Sequence, residues 1–390
     1  MIGNILIYTF FFTLSLGQLS RLSFLNSQFN IYAPDVVLVF TLLYLFLRYK
    51  LRPITSSTKG FRFTFLLLIF LAVTFLVGIV HFSVQENIVS FSYFLRLLLY
   101  LLVFFYAIFW RKKDKHSINH FKKGCYVFAA SVLITSVIQY FLYPDLRNIE
   151  YLGWDPHLHR MVGTFLDTAV AASVYGILAI FFLGRKQFIL FAVFLLGVLL
   201  TYSRSAYIGI IIFTVIFIVR QKLVHTWLQK PAHLFLTLAV TMAVFTSIIF
   251  LLPKPFGEGG NLLRTITVAS RLTDYEEAIT LWQKDPLIGV GFNRLRYAKE
   301  QAHFVGQEKI EVSHSGASLH SSYLILLVTG GIIGLILYIL SLKEVFLRSA
   351  LGCYLFIYVG IISLADNILL HAFILPLVLF LLVADQLSFS

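Results

Sequence analysis

Apolar residues run along this chain in blocks, and basic residues punctuate the ends of the blocks. A helix crosses the hydrocarbon core of a bilayer with about 20 apolar residues. On that rule the pattern predicts twelve spans: Ile2–Leu19, Pro34–Leu47, Phe61–Val80, Val89–Trp110, Phe121–Tyr143, Met161–Leu183, Phe188–Thr201, Ala206–Val219, His233–Leu252, Ser321–Leu342, Leu347–Leu364 and Asn367–Asp385. By far the longest gap between blocks opens with P-K-P-F-G-E-G-G at Pro253 and closes at His320, at the mouth of the tenth span. No repeat of soluble-solenoid length and no low-complexity linker interrupts the series. The expected fold class is therefore all-α: a polytopic integral membrane protein forming one domain over residues 1–390, with a large loop at 253–320.

Composition agrees with the pattern. Of 390 residues, 59% are hydrophobic and 13% charged, where a soluble domain carries about 25% charged residues. Mean hydropathy is +0.87. The formal charge of +13 raises nucleic acid as a partner. The placement of the cations at the ends of apolar runs excludes it and marks membrane flanks instead. Cys125 and Cys353 lie within apolar runs and read as small core residues. M-I-G-N-I-L-I at the start has no basic n-region, so the first run reads as a retained span.

Charge also orients the chain. Loops after even-numbered spans hold five Lys or Arg at 48–62, six at 111–123, two at 185–186, three at 220–230 and two at 343–348. Short loops after odd-numbered spans hold only Arg21, Arg147, Arg160 and Arg204. Basic loops stay in the cytoplasm, so both termini are expected there and the long loop faces outward.

The outward face then collects Arg160, Arg204 in T-Y-S-R-S-A, Arg271, the glycines of P-L-I-G-V-G at Pro286, and His320. Arg96 lies within the fourth span, about 10 Å from its outer end at 1.5 Å per residue. An arginine within a span faces a partner or a wet cavity, and its planar fork suits phosphate oxygens. A single one of these arginines reads equally well as a snorkelling side chain, with Arg96 paired to Asp167 or Asp366. The set on one face favours an anionic site. Residues 271–284 form an amphipathic helix, capped by Ser270 and stopped by Asp285–Pro286, with Leu272, Tyr275, Ile279 and Trp282 on its apolar face. Asp274, Glu276 and Glu277 on this helix suit a solvated face and a catalytic one equally well. Gly289 and Gly291 make a tight turn, and Gly330, Gly331 and Gly334 allow close helix packing. A neutral His320 can take a proton from a hydroxyl. His157 and His159 have no third ligand at metal spacing and read as a plain loop. His303 and His314 fall in a polar loop, and His371 with Asp366 reads as packing or a supporting pair. No nucleotide-binding or metalloprotease motif is present, and no cofactor is implied.

Four stretches, in order, resemble the O-antigen ligase and O-antigen polymerase superfamily of bacterial membrane glycosyltransferases. They are R-M-V-G-T-F-L-D-T at Arg160, L-T-Y-S-R-S-A-Y at Leu200, R-L-T-D-Y-E-E-A-I-T-L-W at Arg271 followed by D-P-L-I-G-V-G, and L-H-S-S-Y-L-I-L-L-V-T-G-G-I-I-G at Leu319. The chain departs from the family at Ser321 and Thr329, where the family has Asn and Glu. The resemblance implies a lipid-sugar (GT-C-like) transferase fold. It implies metal-independent transfer of a glycan from undecaprenyl diphosphate to an acceptor sugar hydroxyl, outside the cytoplasm, in surface polysaccharide assembly. By matched position, Arg204 and Arg271, with Arg160, would hold the diphosphate and His320 would activate the acceptor; Arg96 joins the substrate-binding set by its depth. A transporter or flippase of lipid-linked oligosaccharide is the alternative from another class, though it would show paired repeats or broken helices in both halves.

Overall fold

The structure is a computed structural model. It describes residues 2–25, 27–57, 60–152, 156–220, 239–240, 242–243, 247, 266–305 and 318–385. The predicted span His233–Leu252, the P-K-P-F-G-E-G-G stretch and His314 lie mostly or wholly outside the described residues.

Fourteen helices account for most of the described chain. They are α1 (Ile2–Ser15), α2 (Ala33–Tyr49), α3 (Arg52–Ser57), α4 (Arg62–Val77), α5 (Val84–Lys113), α6 (Ser117–Leu142), α7 (Thr168–Gly184), α8 (Phe188–Leu200), α9 (Arg204–Val219), α10 (Ile266–Lys284), α11 (Leu295–Gln301), α12 (Ser322–Phe346), α13 (Ala350–Ile362) and α14 (Ile374–Ala384). Among the described residues, four helical stretches are long and apolar enough to cross a membrane: Arg62–His81, Val84–Lys113, Ser117–Leu142 and Ser322–Phe346. Six further apolar helices, α1, α7, α8, α9, α13 and α14, have 10–17 residues.

Helix ends follow local chemistry. Ser83 and Glu86 form a reciprocal cap at the start of α5: Ser83 N–H donates to Glu86 Oε2 at 2.6 Å and Glu86 N–H to Ser83 Oγ at 3.4 Å. Arg111–Lys113 close the same helix, where cations suit the dipole. The sixth predicted span starts seven residues late. Residues 161–167 fold instead as a turn, with Gly163 at φ 57° and Leu166 at φ 56°. Asp167 then caps α7 by accepting from Val170 N–H at 2.8 Å. The last span is likewise trimmed to Ile374–Ala384, with residues 363–373 forming a loop. An antiparallel hairpin, β1 (Arg21–Phe24) with β2 (Phe29–Tyr32), adds strand to an otherwise helical fold and was not expected from the apolar pattern.

Every residue of α14 is buried, as expected for a helix apolar all round. It packs against α5, α6 and α7 and forms the axis of the bundle. Phe380 on α14 stacks on Phe10 of α1 with ring centroids 4.3 Å apart. α1 lies on α6, α7 on α8, α9 on α13, and α4 on α12.

One helix is broken. Within α12, Gly331 has φ 60° and ψ −168°, a region open in practice to glycine alone. The freed groups are taken by P-L-I-G-V-G. Val290 and Gly291 N–H donate to the carbonyls of Val328 and Thr329, both at 3.0 Å, while Ile332 and Ile333 N–H donate to Pro286 O at 3.0 Å and Leu287 O at 3.3 Å. A Cβ on Gly289 would lie 2.5 Å from Val328 O, and one on Gly331 2.3 Å from Leu287 O. These glycines therefore permit backbone-to-backbone docking, beyond the tight turn and close helix packing read from sequence.

Candidate functional site

Docking of Pro286–Gly291 into α12 fixes α10 beside the start of that helix. The side of α10 that packs inward carries Asp274, Ala278 and Leu281, all buried. Of the predicted apolar face, Leu272, Tyr275 and Ile279 are exposed, while Trp282 is partly buried against the inward cluster. In a membrane protein such a face suits lipid. α10 begins at Ile266, so Ser270 lies inside the helix and is not its cap.

The three acids of α10 separate by role. Glu276 is exposed. Glu277 pairs with the buried Lys299 Nζ of α11 at 2.8 Å. Asp274 reaches His320: its Oδ2 accepts from the His320 backbone N–H at 2.8 Å and meets the ring Nδ1 at 2.5 Å. The hydrogen bond from Asp274 raises the His320 pKa above the ordinary histidine value, against the opposing effect of burial. Burial works to raise the Asp274 pKa, but the side-chain and backbone hydrogen bonds from His320 prevail and lower it. With Nδ1 turned to the carboxylate, the ring presents Nε2 to any reactant.

Arg271, one turn before Asp274, extends Nη2 to Asp366 Oδ1 at 3.2 Å. Its Nε is buried and has no hydrogen-bond partner among the described residues. Asp366 lies in the loop between α13 and α14, and its second oxygen accepts from Ser205 Oγ. Burial pushes the Asp366 pKa up to about 6, with Arg271 and Ser205 pulling the other way. His320 and Asp366 lie within electrostatic reach of each other. The loop holding Asp366 is pinned by Ser322: its Oγ donates to Asp366 O at 3.2 Å and accepts from Ile368 and Leu369 N–H at 2.8 and 3.1 Å.

Arg204 opens α9, immediately before Ser205. Tyr202, at φ 55°, makes the tight turn that places it there. The Arg160 segment lies against this turn, with Met161 N–H donating to Leu200 O at 3.0 Å. Gln139 organises that segment: its Oε1 accepts from Val162 and Gly163 N–H at 2.9 and 3.0 Å, and its Nε2 donates to Arg160 O at 3.2 Å. Arg160 itself is buried and within electrostatic reach of Tyr202 and Tyr207.

The structure thus brings Arg271 and His320 into one cluster with Asp366 and Asp274, and sets Arg204 beside it through Ser205. Arg96 belongs to a different cluster. Its Nη2 lies 3.1 Å from Asp35, not near Asp167 or Asp366, and also donates to Asn30 O. The rings of Phe29, Tyr32 and Tyr93 surround it at 5.0–5.6 Å. Asp366 pairs with Arg271 and Ser205, while His371 packs on Phe373. His157 and His159 flank a loop bridge between Asp145 and Leu158. Among the described residues, no three His, Cys, Asp or Glu side chains group as metal ligands.

Residues 189–339 match the family described as O-Antigen ligase. That match supports a place in the O-antigen ligase superfamily. No curated protein matches the chain. The matched stretch starts in α8 and ends within α12, so it contains Arg204, Arg271, Asp274 and His320. Arg160 and Asp366 come from outside the matched residues. With the apolar helices, the match supports a membrane protein of polysaccharide biosynthesis, and the matched family implies a glycosyltransferase-like ligase. Asp366 was the residue hardest to value from sequence. Its one signal was an acid standing alone between two apolar blocks.

Proposed function

We propose that this protein transfers a glycan from an undecaprenyl-diphosphate-linked donor to an acceptor sugar hydroxyl on the outward face of the cytoplasmic membrane. The twelve-span arrangement with both termini in the cytoplasm is part of the same reading, as is a lipid-sugar transferase fold. The supporting observation is the Asp274–His320 contact beside Arg271, whose buried Nε has no partner. A histidine fixed through Nδ1 offers Nε2 as the base. An arginine with a spare buried donor offers a place for a diphosphate oxygen.

The acceptor oxygen attacks the anomeric carbon and its proton passes to His320 Nε2. The bond from that carbon to the diphosphate oxygen breaks, and the diphosphate leaves with the electron pair. Arg271, Arg204 and Arg160 stabilise the added negative charge. Fixed cations aimed at developing charge give an enzyme its largest single gain. Asp366 holds Arg271 until the donor arrives. Nothing in the geometry favours a flippase.

The test uses purified protein and a defined lipid-linked donor. Donor consumption and product formation should both vanish in Arg204→Ala and Arg271→Ala at normal protein levels. Near-normal turnover in both would remove the diphosphate site. For sidedness, cysteines introduced at Lys112–Lys115 should be shielded from an impermeant thiol reagent in intact cells. Those introduced at Gly257–Gly260 should react. The reverse pattern would move the site to the cytoplasmic face.

A further inference from the structure

The helices that carry the site also enclose a cavity at their other ends. α7 starts beside Asp167 and runs 17 residues to Gly184, about 25 Å away at 1.5 Å per residue. There the last turn of α7 and the far ends of α9, α13 and α14 surround a cavity of about 640 Å³, within the usual range for bound small molecules. Phe181, Phe217 and Tyr354 supply its apolar wall, and Arg185 and Lys186 its basic mouth.

The two cations are left over from ordinary structural duties. The carbonyls ending α7 are taken by backbone N–H groups: Arg185 N and Gln187 N bond Phe182 O, at 3.1 and 3.0 Å, and Lys186 N bonds Leu183 O at 2.9 Å. Neither side chain is needed as a cap. Among the described residues, neither forms an ion pair. The Arg185 guanidinium is held over the Phe181 ring at 4.4 Å, and its Nε is buried with no hydrogen-bond partner among the described residues. A buried charged donor without an acceptor calls for a missing group. A third cation, Arg220, sits 5.8 Å over the Tyr354 ring. The one acid in the wall is Asp385. Arg111 donates to the Asp385 backbone carbonyl at 2.5 Å and lies within reach of its carboxylate, which offsets that charge.

We infer that this cavity binds an anionic phospholipid of the leaflet opposite the transfer site. Its phosphate sits on Arg185 and Lys186, and an acyl chain lies among Phe181, Phe217 and Tyr354. Aromatic walls fit a lipid better than a free phosphate, and basic pockets between membrane helices suit anionic headgroups. The site is separate from the transfer reaction and stands without it.

The experiment reconstitutes the full chain in nanodiscs of equimolar phosphatidylglycerol and phosphatidylcholine and counts retained lipids by native mass spectrometry. Wild-type protein should retain phosphatidylglycerol preferentially. The double variant Arg185→Gln/Lys186→Gln should lose that preference by roughly thirtyfold. Lys122→Gln/Lys123→Gln, which removes two cations from the N-terminal part of α6, should keep it. Thermal unfolding with and without phosphatidylglycerol provides a readout on wild-type protein alone: the lipid should raise the midpoint where inorganic phosphate does not. Equal retention of both lipids by wild type would overturn the assignment, as would equal preference in the Arg185/Lys186 variant or a matching shift with phosphate.

Discussion

Among the described residues, two arginine–aspartate pairs are largely shielded from solvent, and they are finished in opposite ways. Arg96 and Asp35 close a knot. Tyr100 Oη donates to the free oxygen of Asp35 at 2.5 Å, Tyr32 N–H donates to its partner oxygen at 3.0 Å, and three aromatic rings cover the guanidinium. Arg271 and Asp366 are left open. Arg271 keeps a buried donor with no acceptor, and the adjacent His320 side chain is 37% exposed. A satisfied buried pair fixes structure, and removing one partner strands the other charge. A pair with an unfilled donor beside an accessible base is arranged for something that arrives later. Arg96, for all its depth in the sequence pattern, belongs to the first kind.

The largest break in this contrast comes from His320→Ala. Loss of a general base costs about 10²–10⁴-fold in rate, so transfer should fall by that amount while donor affinity stays near wild type. A fall in donor affinity alone would make His320 a phosphate contact instead.

Arginine-to-lysine exchanges sharpen the contrast next. Lysine keeps the charge and loses the fork. Arg271→Lys should cut transfer by about 10²-fold, the lower end for losing one charge-stabilising donor, at unchanged thermal stability. Arg96→Lys should do the reverse, lowering the unfolding midpoint while turnover per folded molecule stays near normal. Equal behaviour of the two variants would erase the distinction drawn here.

A smaller effect is expected from Asp274→Asn, read from the pH profile. His320 works neutral, and Asp274 raises its pKa. The wild-type rate should therefore rise with pH through a midpoint above the unperturbed histidine value of about 6.5. In Asp274→Asn that acid limb should move to lower pH, with a reduced plateau. A limb that stays in place would show that another group titrates.

Asp366→Asn should have the smallest effect. Burial brings Asp366 to about 6, so it is ionised above that pH and competes with the donor for Arg271. The variant should tighten donor binding modestly above pH 6 and leave it unchanged below. A pH-independent change would mean that Asp366 does not act through its charge.

Helix positions were legible in the sequence because a span is read from a block of apolar residues, whatever surrounds it. Their ends were less so at Met161 and Asn367, where a glycine turn and a serine-pinned loop replace helix that hydropathy alone would continue. The sequence pattern gathered Arg204, Arg271 and His320 on one face, since Arg204 and His320 sit at ends of apolar blocks and Arg271 in the long loop between them. It had no means of joining Asp274 to His320 across 46 residues, or Ser205 to Asp366 across 161. Such contacts depend on which helices pack together. The partner of Arg96 was hidden for the same reason: Asp35 comes from another helix beside an unexpected hairpin.

The break at Gly331 also bears on how the protein is assembled. An unsatisfied backbone group in hydrocarbon costs several kcal/mol, and α12 alone would expose the carbonyls of Val328 and Thr329 and the amides of Ile332 and Ile333. Their partners at Pro286–Gly291 are synthesised earlier, but they reach these groups only after α12 has entered the bilayer. The four amides of Val290, Gly291, Ile332 and Ile333 should therefore gain protection from hydrogen exchange together, in one late event. In a nascent chain stalled before α12 emerges, Val290 and Gly291 would still exchange freely.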